Sequence, residues 1–332
     1  MPGTKKLRRI QMGRESTSGD AVVATTIWRG LGVPDDLRKT EFAEEDVGYL
    51  SGVDRTYMPQ LLAGLAMEAV PATFEQIVHI LEAGIKTATP TSDGAGTGRI
   101  YAYAFPTTAK NTIKTYTLEA GDDQAAEEME YCYVESFKLS GKAGAALMMS
   151  AEWRGRQLST TSFTTGLSLV VVEEILFSKS TIAIDAVSGS IGATVKSSTL
   201  LSADLDVKTG WTHVFTGDGQ LYFTFAKSTE PEVTLDITFE HDATSVAEKV
   251  IWRAQTPRLI RLKVQGSALS SAGTTYTYKT LIIDLAGKWE KFDKIGEQDG
   301  NDIIKAKFRG RYNTTGAQFA TITVVNELAS VP

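Results

Sequence analysis

The chain has 332 residues, with 34 basic and 40 acidic side chains, a net charge of −6 and a pI near 5.3. A protein that grips DNA normally shows a basic face and a high pI, so this composition argues against tight DNA binding. Cys132 is the only cysteine, which excludes an intrachain disulfide and a cysteine-based metal site.

The N-terminal segment is basic, and no apolar run follows it. Its cations are Lys5, Lys6, Arg8 and Arg9. Without that run it is not a signal peptide, and no other run is long enough to span a bilayer. We expect no membrane contact, a cytoplasm-like compartment, and an N-terminal arm over residues 1–28 that ends in a first strand.

Two helices are predicted. The first begins at Thr73, where Gln76 completes a capping box, and it places His79 on its polar face in solvent. The second begins at Ser245, and Pro257 prevents it from running further. Between the first helix and the next strand, residues 87–108 are rich in Thr, Gly, Ala and Pro, which predicts a long contact loop.

Strand patterns dominate the rest of the chain. Apolar and polar residues alternate with a period of two over residues 233–239 and 260–264, as expected for strands with one buried face. Further strands are predicted at 112–119, 130–139, 146–154, 220–226, 276–285, 303–309 and 320–326. The chain is therefore predicted to be mainly β.

An acidic stretch falls between two of these predicted strands. It contains Glu119, Asp122, Asp123, Glu127, Glu128 and Glu130. One interpretation is a solvated hairpin tip, and the other is an electronegative surface inside an assembly. An acidic surface repels a DNA duplex over about 8 Å, the Debye length at physiological salt.

The chain matches itself without gaps at an offset of 155 residues. Seven identities fall within the 22 positions from Glu135 to Arg156, which align with Glu290 to Arg311. The sequence Arg-Gly-Arg closes both copies. Self-similarity on this scale predicts two domains of one fold, at residues 29–163 and 164–332. The alternative is a single sheet whose halves are alike only in composition.

No catalytic or cofactor site is predicted. The three histidines, His79, His213 and His241, lack metal-ligand spacing, and no nucleophile motif is present. Gly94, Gly96 and Gly98 lie in a loop without the strand and helix that a phosphate cradle needs. We therefore expect neither an enzyme nor a bound cofactor or metal.

The two Arg-Gly-Arg sequences are predicted to be structural. Each ends a strand, where glycine permits a bulge or bend. Arginine can pair there with carboxylates of a neighbouring subunit. The candidate residues for contacts between subunits are Arg154, Arg156, Arg309 and Arg311.

Three segments carry a resemblance to a known family. They are MGRESTSGDAVVATTIW at 12–28, the strand–turn–strand region at 115–157, and its second copy KWEKFDKIGEQDGNDIIKAKFRGRYN within 288–313. Here the chain resembles the tail tube proteins, or major tail proteins, of long-tailed, siphovirus-like bacteriophages. The similarity spans most of the chain through diffuse motifs, because a structural protein has no catalytic signature.

The resemblance implies two tandem tube-type β-sandwich or barrel domains, each with one short helix, plus an extended arm and long loops. Such domains form rings of six that stack into a tube, so that DNA passes through without specific binding. Three chains with two domains each would form a pseudo-sixfold ring. The alternative is a hexamer with the second domain as decoration.

The resemblance also implies partners and a location. The partners are further copies of the chain, a tape measure protein, a tail terminator and a distal tail protein. The protein would lie in the virion, after assembly in the host cytoplasm. The basic arm could dock on an acidic patch of the adjacent ring, such as Glu44, Glu45 and Asp46. Deleting the first ten residues would then leave rings but impair stacking.

Two competing functions remain open. The chain could be another tail ring protein, such as a terminator or distal tail protein, or a pilus-like subunit. It could also be a carbohydrate-binding β-sandwich, which would need a cluster of exposed aromatic side chains. The tryptophans are dispersed along the chain, and Trp153 and Trp289 lie in the repeated segment, which favours packing.

Overall fold

The computed structural model describes residues 3–332. Strands account for 49% of the chain and two α-helices are present, which confirms a mainly β protein. Two short 3-10 helices lie at Lys5–Leu7 and Phe177–Lys179.

The first half of the chain folds into twelve strands and one helix. They are β1 (Arg9–Arg14), β2 (Thr26–Trp28), β3 (Gly32–Asp36), β4 (Lys39–Phe42), β5 (Thr56–Gln60), β6 (Ala63–Pro71), α1 (Ile77–Gly84), β7 (Thr91–Ser92), β8 (Arg99–Ala104), β9 (Tyr116–Gly121), β10 (Ala126–Lys142), β11 (Met148–Gly155) and β12 (Ser159–Thr161).

The second half folds into eleven strands and one helix. They are β13 (Ser180–Ala186), β14 (Val195–Lys196), β15 (Leu200–Lys208), β16 (Trp211–Val214), β17 (Phe225–Ser228), β18 (Glu232–Glu240), α2 (Ala243–Arg253), β19 (Arg258–Ala268), β20 (Tyr278–Phe292), β21 (Gly296–Gln298), β22 (Asn301–Gly310) and β23 (Ala320–Asn326).

One antiparallel sheet runs through both halves. Its strand order is β3–β6–β11–β10–β15–β18–β22–β20. The two halves join where β10 pairs with β15, from Ser136 opposite Lys208 to Lys142 opposite Ser202. Four strands from each half therefore form a single sheet of eight.

The two halves of this sheet share their register. Residue pairs that correspond at the offset of 155 face each other in both halves. In the first half they are Tyr133–Arg154, Val134–Trp153 and Phe137–Ala151. In the second half they are Lys288–Arg309, Trp289–Phe308 and Phe292–Ala306. A β-bulge lies at Glu135 in β10 and at the corresponding Glu290 in β20. The sequence match thus coincides with matching strand geometry.

The element order also matches beyond the repeated segment. Each half begins with two paired outer strands, β1–β2 in the first and β13–β14 in the second. A strand of the eight-stranded sheet follows, β3 or β15, and then a projecting hairpin, β4–β5 or β16–β17. A second strand of that sheet, β6 or β18, leads into the helix. Strands β9 to β12 then correspond to β19, β20, β22 and β23. The first half alone contains β7 and β8, and the second alone contains β21.

The core lies between the eight-stranded sheet and a second layer. In the first half that layer contains β1, β9, β12 and the N-terminal part of β10, and in the second β13, β19, β23 and the N-terminal part of β20. Tyr116 of β9 meets Trp153 of β11 edge to face, with ring centroids 5.6 Å apart. Alternating apolar residues of both layers thus interdigitate, as in packed sheets generally.

The helices differ from the prediction at their N-termini. Helix α1 begins at Ile77, and Thr73 lies in the preceding turn, where its hydroxyl accepts a hydrogen bond from the Gln76 amide at 3.2 Å. All eight residues of α1 are buried, so the solvated position predicted for His79 was wrong. Helix α2 begins two residues before Ser245, because Asp242 is its N-cap and Ser245 completes the capping box.

The prediction of one long loop over residues 87–108 was also wrong. The segment contains β7 and β8, and β8 pairs with β23 from Thr321 opposite Ala104 to Asn326 opposite Arg99. It therefore extends the second layer of the other half. The strand predicted at 220–226 is displaced to β17, and β6, β13 and β15 were not predicted.

Candidate functional site

The described residues contain no cluster of candidate metal ligands. Residues 3–332 contain no group of three or more His, Cys, Asp or Glu side chains placed to hold a metal ion. The Nδ1 atom of His79 lies 3.1 Å from the hydroxyl oxygen of Tyr116. Burial lowers the pKa of His79 to about 3. Burial likewise raises the pKa of the Cys132 thiol well above its usual value. Both groups are packing residues, and reactivity is not expected of them.

The predicted acidic surface is partly interior. Glu119 is buried in β9, and its carboxylate accepts hydrogen bonds from the backbone amide and hydroxyl of Thr164. Glu128 lies opposite Glu119 across the β9–β10 pair, and burial followed by the Glu119 charge raises its pKa. Burial also raises the pKa of Glu130. Glu119 therefore holds the Thr164 segment on the second layer, whereas Glu128 and Glu130 are partly buried beside it.

Only the tip of the β9–β10 hairpin fits the prediction of an acidic turn. Asp122 and Asp123 lie between the two strands, whereas Glu127 is already part of β10. The Asp123 carboxylate accepts a hydrogen bond from the Thr4 amide at 3.0 Å, which lowers its pKa. The N-terminal segment therefore contacts an acidic turn of its own chain.

The N-terminal arm is shorter than predicted. Lys5 and Lys6 lie exposed in a 3-10 turn before Arg8, and strand β1 begins at Arg9, whose guanidinium carbon lies 4.0 Å from the centroid of the Phe163 ring. Strand β1 pairs with both β2 and β9, and Ile10 is fully buried. Residues from Arg9 onward are therefore part of the second layer.

The arginines of both Arg-Gly-Arg sequences have partners within the chain, and the expected pairing with a neighbouring subunit stays a prediction. Arg154 lies 2.9 Å from Glu135, and Arg309 contacts Glu232 and Glu290. The intervening glycines are needed for close packing. A Cβ on Gly155 would meet the Cys132 sulfur at 2.9 Å, whereas the bulge lies on the opposite strand.

The last two arginines differ in exposure. Arg156 is partly buried, and Nε and Nη2 donate to the backbone carbonyls of Phe223 and Thr224 at 3.1 and 2.9 Å. Arg311, the corresponding residue in the second half, is 54% exposed and contacts Glu230 at 2.5 Å. The same residue type therefore holds a hairpin in one half and lies open in the other.

A charged face of the eight-stranded sheet was missed by the sequence prediction. Some residues of opposite charge face each other across neighbouring strands, as with Lys138 and Asp206 or Asp236 and Lys307. Like charges also face each other, because Asp204 lies opposite Asp236 and Lys291 lies opposite Lys307. Burial raises the pKa of Asp236, and Lys307 partly offsets this while the nearby Asp204 adds to it. The signal was the alternation of charged residues in β10 and β15, but β15 had not been identified as a strand.

Two strand edges lie at the ends of this sheet without a strand partner among residues 3–332. Strand β3 pairs only with β6. The C-terminal part of β20, from Lys288 to Phe292, pairs only with β22. Directly after β3, the Leu37 amide donates to the carbonyl of Leu62, the residue before β6, at 2.9 Å. Because alternate residues point to opposite edges, the Pro34 carbonyl and the amide and carbonyl of Asp36 face the open side.

The Glu44, Glu45 and Asp46 patch lies in the β4–β5 hairpin, between its two strands. Glu45 pairs there with Arg55 of the same hairpin. Among residues 3–332, no hydrogen bond or ion pair joins the patch to the basic arm, and docking between rings stays a prediction.

Comparison with known proteins gives no family for the chain: no protein-family model matches it, and no curated protein matches it. Among residues 3–332, the helices are too short or too polar for a membrane crossing.

Proposed function

We propose that the protein is the structural subunit of a bacteriophage tail tube, with two tandem tube-type domains and three chains in each ring. The observation that carries the proposal is the β10–β15 junction. At the offset of 155, residues 136–142 of β10 correspond to 291–297, which contain the last two residues of β20, the connection 293–295 and the first two residues of β21. Residues 202–208 of β15 correspond to 31–37 around β3, at an offset of 171.

The junction within the chain therefore supplies a template for a junction between chains. On this template residues 291–297, at the end of β20 and the start of β21, pair with the open edge of β3 in the next copy, as β10 pairs with β15. A heterologous contact of this kind forms a ring when its rotation closes. Closure also removes the two edges, which would otherwise invite unspecific strand pairing.

The ring has a suitable size for a DNA conduit. Three chains with eight strands each place 24 strands around the axis. At a spacing of about 4.8 Å, 24 strands give a circle at least about 37 Å across, and strand tilt widens it. A duplex can pass through an opening of this width once side chains are included.

The charged face of the eight-stranded sheet would line the channel. Its opposite charges neutralise each other locally, as with Lys138 and Asp206, so they release few counterions from a passing duplex and hold it weakly. On this proposal the stretch from Glu119 to Glu130 lies in the other layer, away from the channel. DNA would then slide through without specific binding.

The resemblance supports the remaining parts of the proposal. The protein would be part of the virion, assembled in the host cytoplasm, with a tape measure protein, a tail terminator and a distal tail protein as partners. Trp28, Trp153 and Trp289 are buried, so these three side chains cannot contribute to the aromatic platform that the carbohydrate-binding alternative would need.

Electron microscopy of the purified protein over a concentration series tests the proposal. Hollow tubes whose rings contain three chains are expected. Six chains in each ring would support the decorated hexamer. Rings that never stack would support a terminator or distal tail protein. Single particles at every concentration would overturn the assembly proposal altogether.

A further inference from the structure

The two projecting hairpins have different surroundings, although they occupy equivalent positions in the two halves. The β16–β17 hairpin packs on the first half of the chain. Phe223 in its loop is fully buried, with its ring centroid 5.1 Å from that of Tyr131 and 6.2 Å from that of Tyr133. The Leu61 amide donates to the Leu221 carbonyl at 2.8 Å. This hairpin is therefore seated on its own chain.

The β4–β5 hairpin has no comparable seat within residues 3–332. Tyr49 at its loop is 77% exposed, and five further large apolar side chains of the hairpin are exposed: Phe42, Val47, Leu50, Tyr57 and Met58. An apolar group of this size on a projecting element normally marks a contact surface. The question is what covers it.

The seat of the β16–β17 hairpin has a counterpart in the second half. In the first half the hairpin lies on Tyr133 and is held by Arg156, whose guanidinium donates to the Phe223 and Thr224 carbonyls. At the offset of 155 these positions are Lys288 and Arg311. Where the first half holds a hairpin, the second half has an open cavity of about 410 Å³. Its lining includes Pro257, Lys288, Trp289, Arg309, Arg311 and Tyr312.

We propose that the β4–β5 hairpin of one copy docks into this cavity of a neighbouring copy, where Arg311 donates hydrogen bonds to backbone carbonyls of its loop. The proposal rests on the assembly proposed above, because the same β20–β3 junction that closes the ring brings the two elements together. The occupant is thus a second copy of this chain.

Charge complementarity supports this occupant. The hairpin segment 39–60 carries five acidic residues and two basic ones. The cavity is lined by three basic residues, Lys288, Arg309 and Arg311, and one acidic residue, Glu290. The Glu44, Glu45 and Asp46 patch would then face these cations, in place of the N-terminal arm considered from the sequence.

Cross-linking of the full chain tests the docking. Leu65 in the first half corresponds to Leu235 in the second, which gives an offset of 170 between the strands that follow the two hairpins. At this offset Val53 corresponds to Phe223. The double variant Val53→Cys/Lys288→Cys therefore imitates the Phe223–Tyr133 contact, and a short bismaleimide should link copies into covalent dimers and trimers. Val53→Cys/Lys179→Cys is the matched control, because Lys179 is exposed and lies outside the cavity. The native Cys132 is buried and contributes no background.

The outcomes separate this inference from the proposed function. Covalent dimers and trimers in the test variant, absent in the control, support the docking, even if microscopy shows no tubes. Rings or tubes without cross-linking overturn the docking and leave the tube proposal standing. If the protein neither assembles nor cross-links, both the docking and the tube proposal are overturned.

A second variant tests the role of Arg311 in the cross-linking background. Arg311→Ala removes two charged hydrogen bonds, so the concentration at which half of the chains cross-link should rise about tenfold or more. Arg253→Ala, at the exposed end of α2, is the control and should leave that concentration unchanged. Equal behaviour of the two variants would overturn the assigned role of Arg311.

Discussion

Glu135 and Glu290 occupy the same position in two β-bulges that lie 155 residues apart. Each carboxylate approaches an arginine of the opposite strand, Arg154 at 2.9 Å and Arg309 at 3.6 Å. Bulges increase the local twist of a strand. Both halves are therefore expected to change the twist of the eight-stranded sheet at corresponding points.

The open edge of β3 can be blocked without changing the fold of the monomer. The Asp36 amide faces away from β6, so Asp36→Pro removes a donor only from the open side. We expect loss of rings and tubes in electron microscopy, with a melting temperature close to that of the wild type.

Asp36→Ala is the control for this prediction, because it removes the same carboxylate and keeps the amide. It should assemble normally. Assembly of the proline variant at wild-type concentrations would show that the β3 edge takes no part in ring closure.

The N-terminal segment can be divided at residue 8. Deletion of residues 1–8 should keep the fold and impair ring stacking if the basic arm contacts the next ring. Deletion of residues 1–14 also removes the buried side chains of Ile10 and Met12. Burial of these two side chains contributes about 3 kcal/mol or more to the free energy of unfolding. This variant should therefore unfold at a lower denaturant concentration than the wild type. Normal tube growth by the shorter deletion would count against the arm.

Gly141 is a position where close packing requires the absence of a side chain. A Cβ there would lie 2.0 Å from the ring of Phe177, which is buried and cannot move away. Gly141→Ala should lower the free energy of unfolding by about 2–3 kcal/mol, as overpacking does. Gly52→Ala, with nothing within 4 Å of the added Cβ, should change it by less than about 0.5 kcal/mol. Equal denaturation midpoints would contradict the prediction.

His79 should make the stability of the wild type depend on pH. Burial holds its pKa at about 3 in the folded chain, against 6.5 for an exposed histidine. Between these values the unfolded chain binds more protons, so this contribution to stability is full above pH 6.5 and is lost progressively towards pH 3.

The variant His79→Gln lacks this dependence. Its deficit in unfolding free energy relative to the wild type should therefore be about 2 kcal/mol smaller at pH 5 than at pH 8, since each pKa unit corresponds to about 1.4 kcal/mol. Urea titrations at both values measure the deficit. A deficit that is the same at both pH values would mean that His79 is protonated in the folded chain at pH 5.

The sequence predicted those parts of the fold that leave a local pattern. Period-two alternation identified β18 and β19, and the offset of 155 located the matching strands of both halves. It failed where neighbours decide the outcome. His79 lies on the polar face of its own helix, but both layers enclose that helix, and the Tyr116 hydroxyl satisfies the ring. Similarly, β8 is a strand because β23 of the other half pairs with it.

The candidate site was predicted less well than the fold. The residues Lys5 to Arg9 and Glu119 to Glu130 were chosen by charge, which does not report whether a carboxylate such as Glu119 is buried. The open edges of β3 and β20 carry no sequence signal, since an unpaired edge is a property of the strand order. The Arg-Gly-Arg repeat lies at the hairpin seat of the first half and at the cavity of the second, and its contacts there are within the chain.

The β10–β15 junction has a kinetic consequence for assembly. Because residues 162–179 tie the two halves together, half of the sheet junctions in a ring of three chains would form during folding, at the high effective concentration of a tethered pair. Only three junctions would then depend on encounters between free subunits, compared with six for a ring of separate domains. Nucleation of a ring would therefore follow a lower power of the subunit concentration.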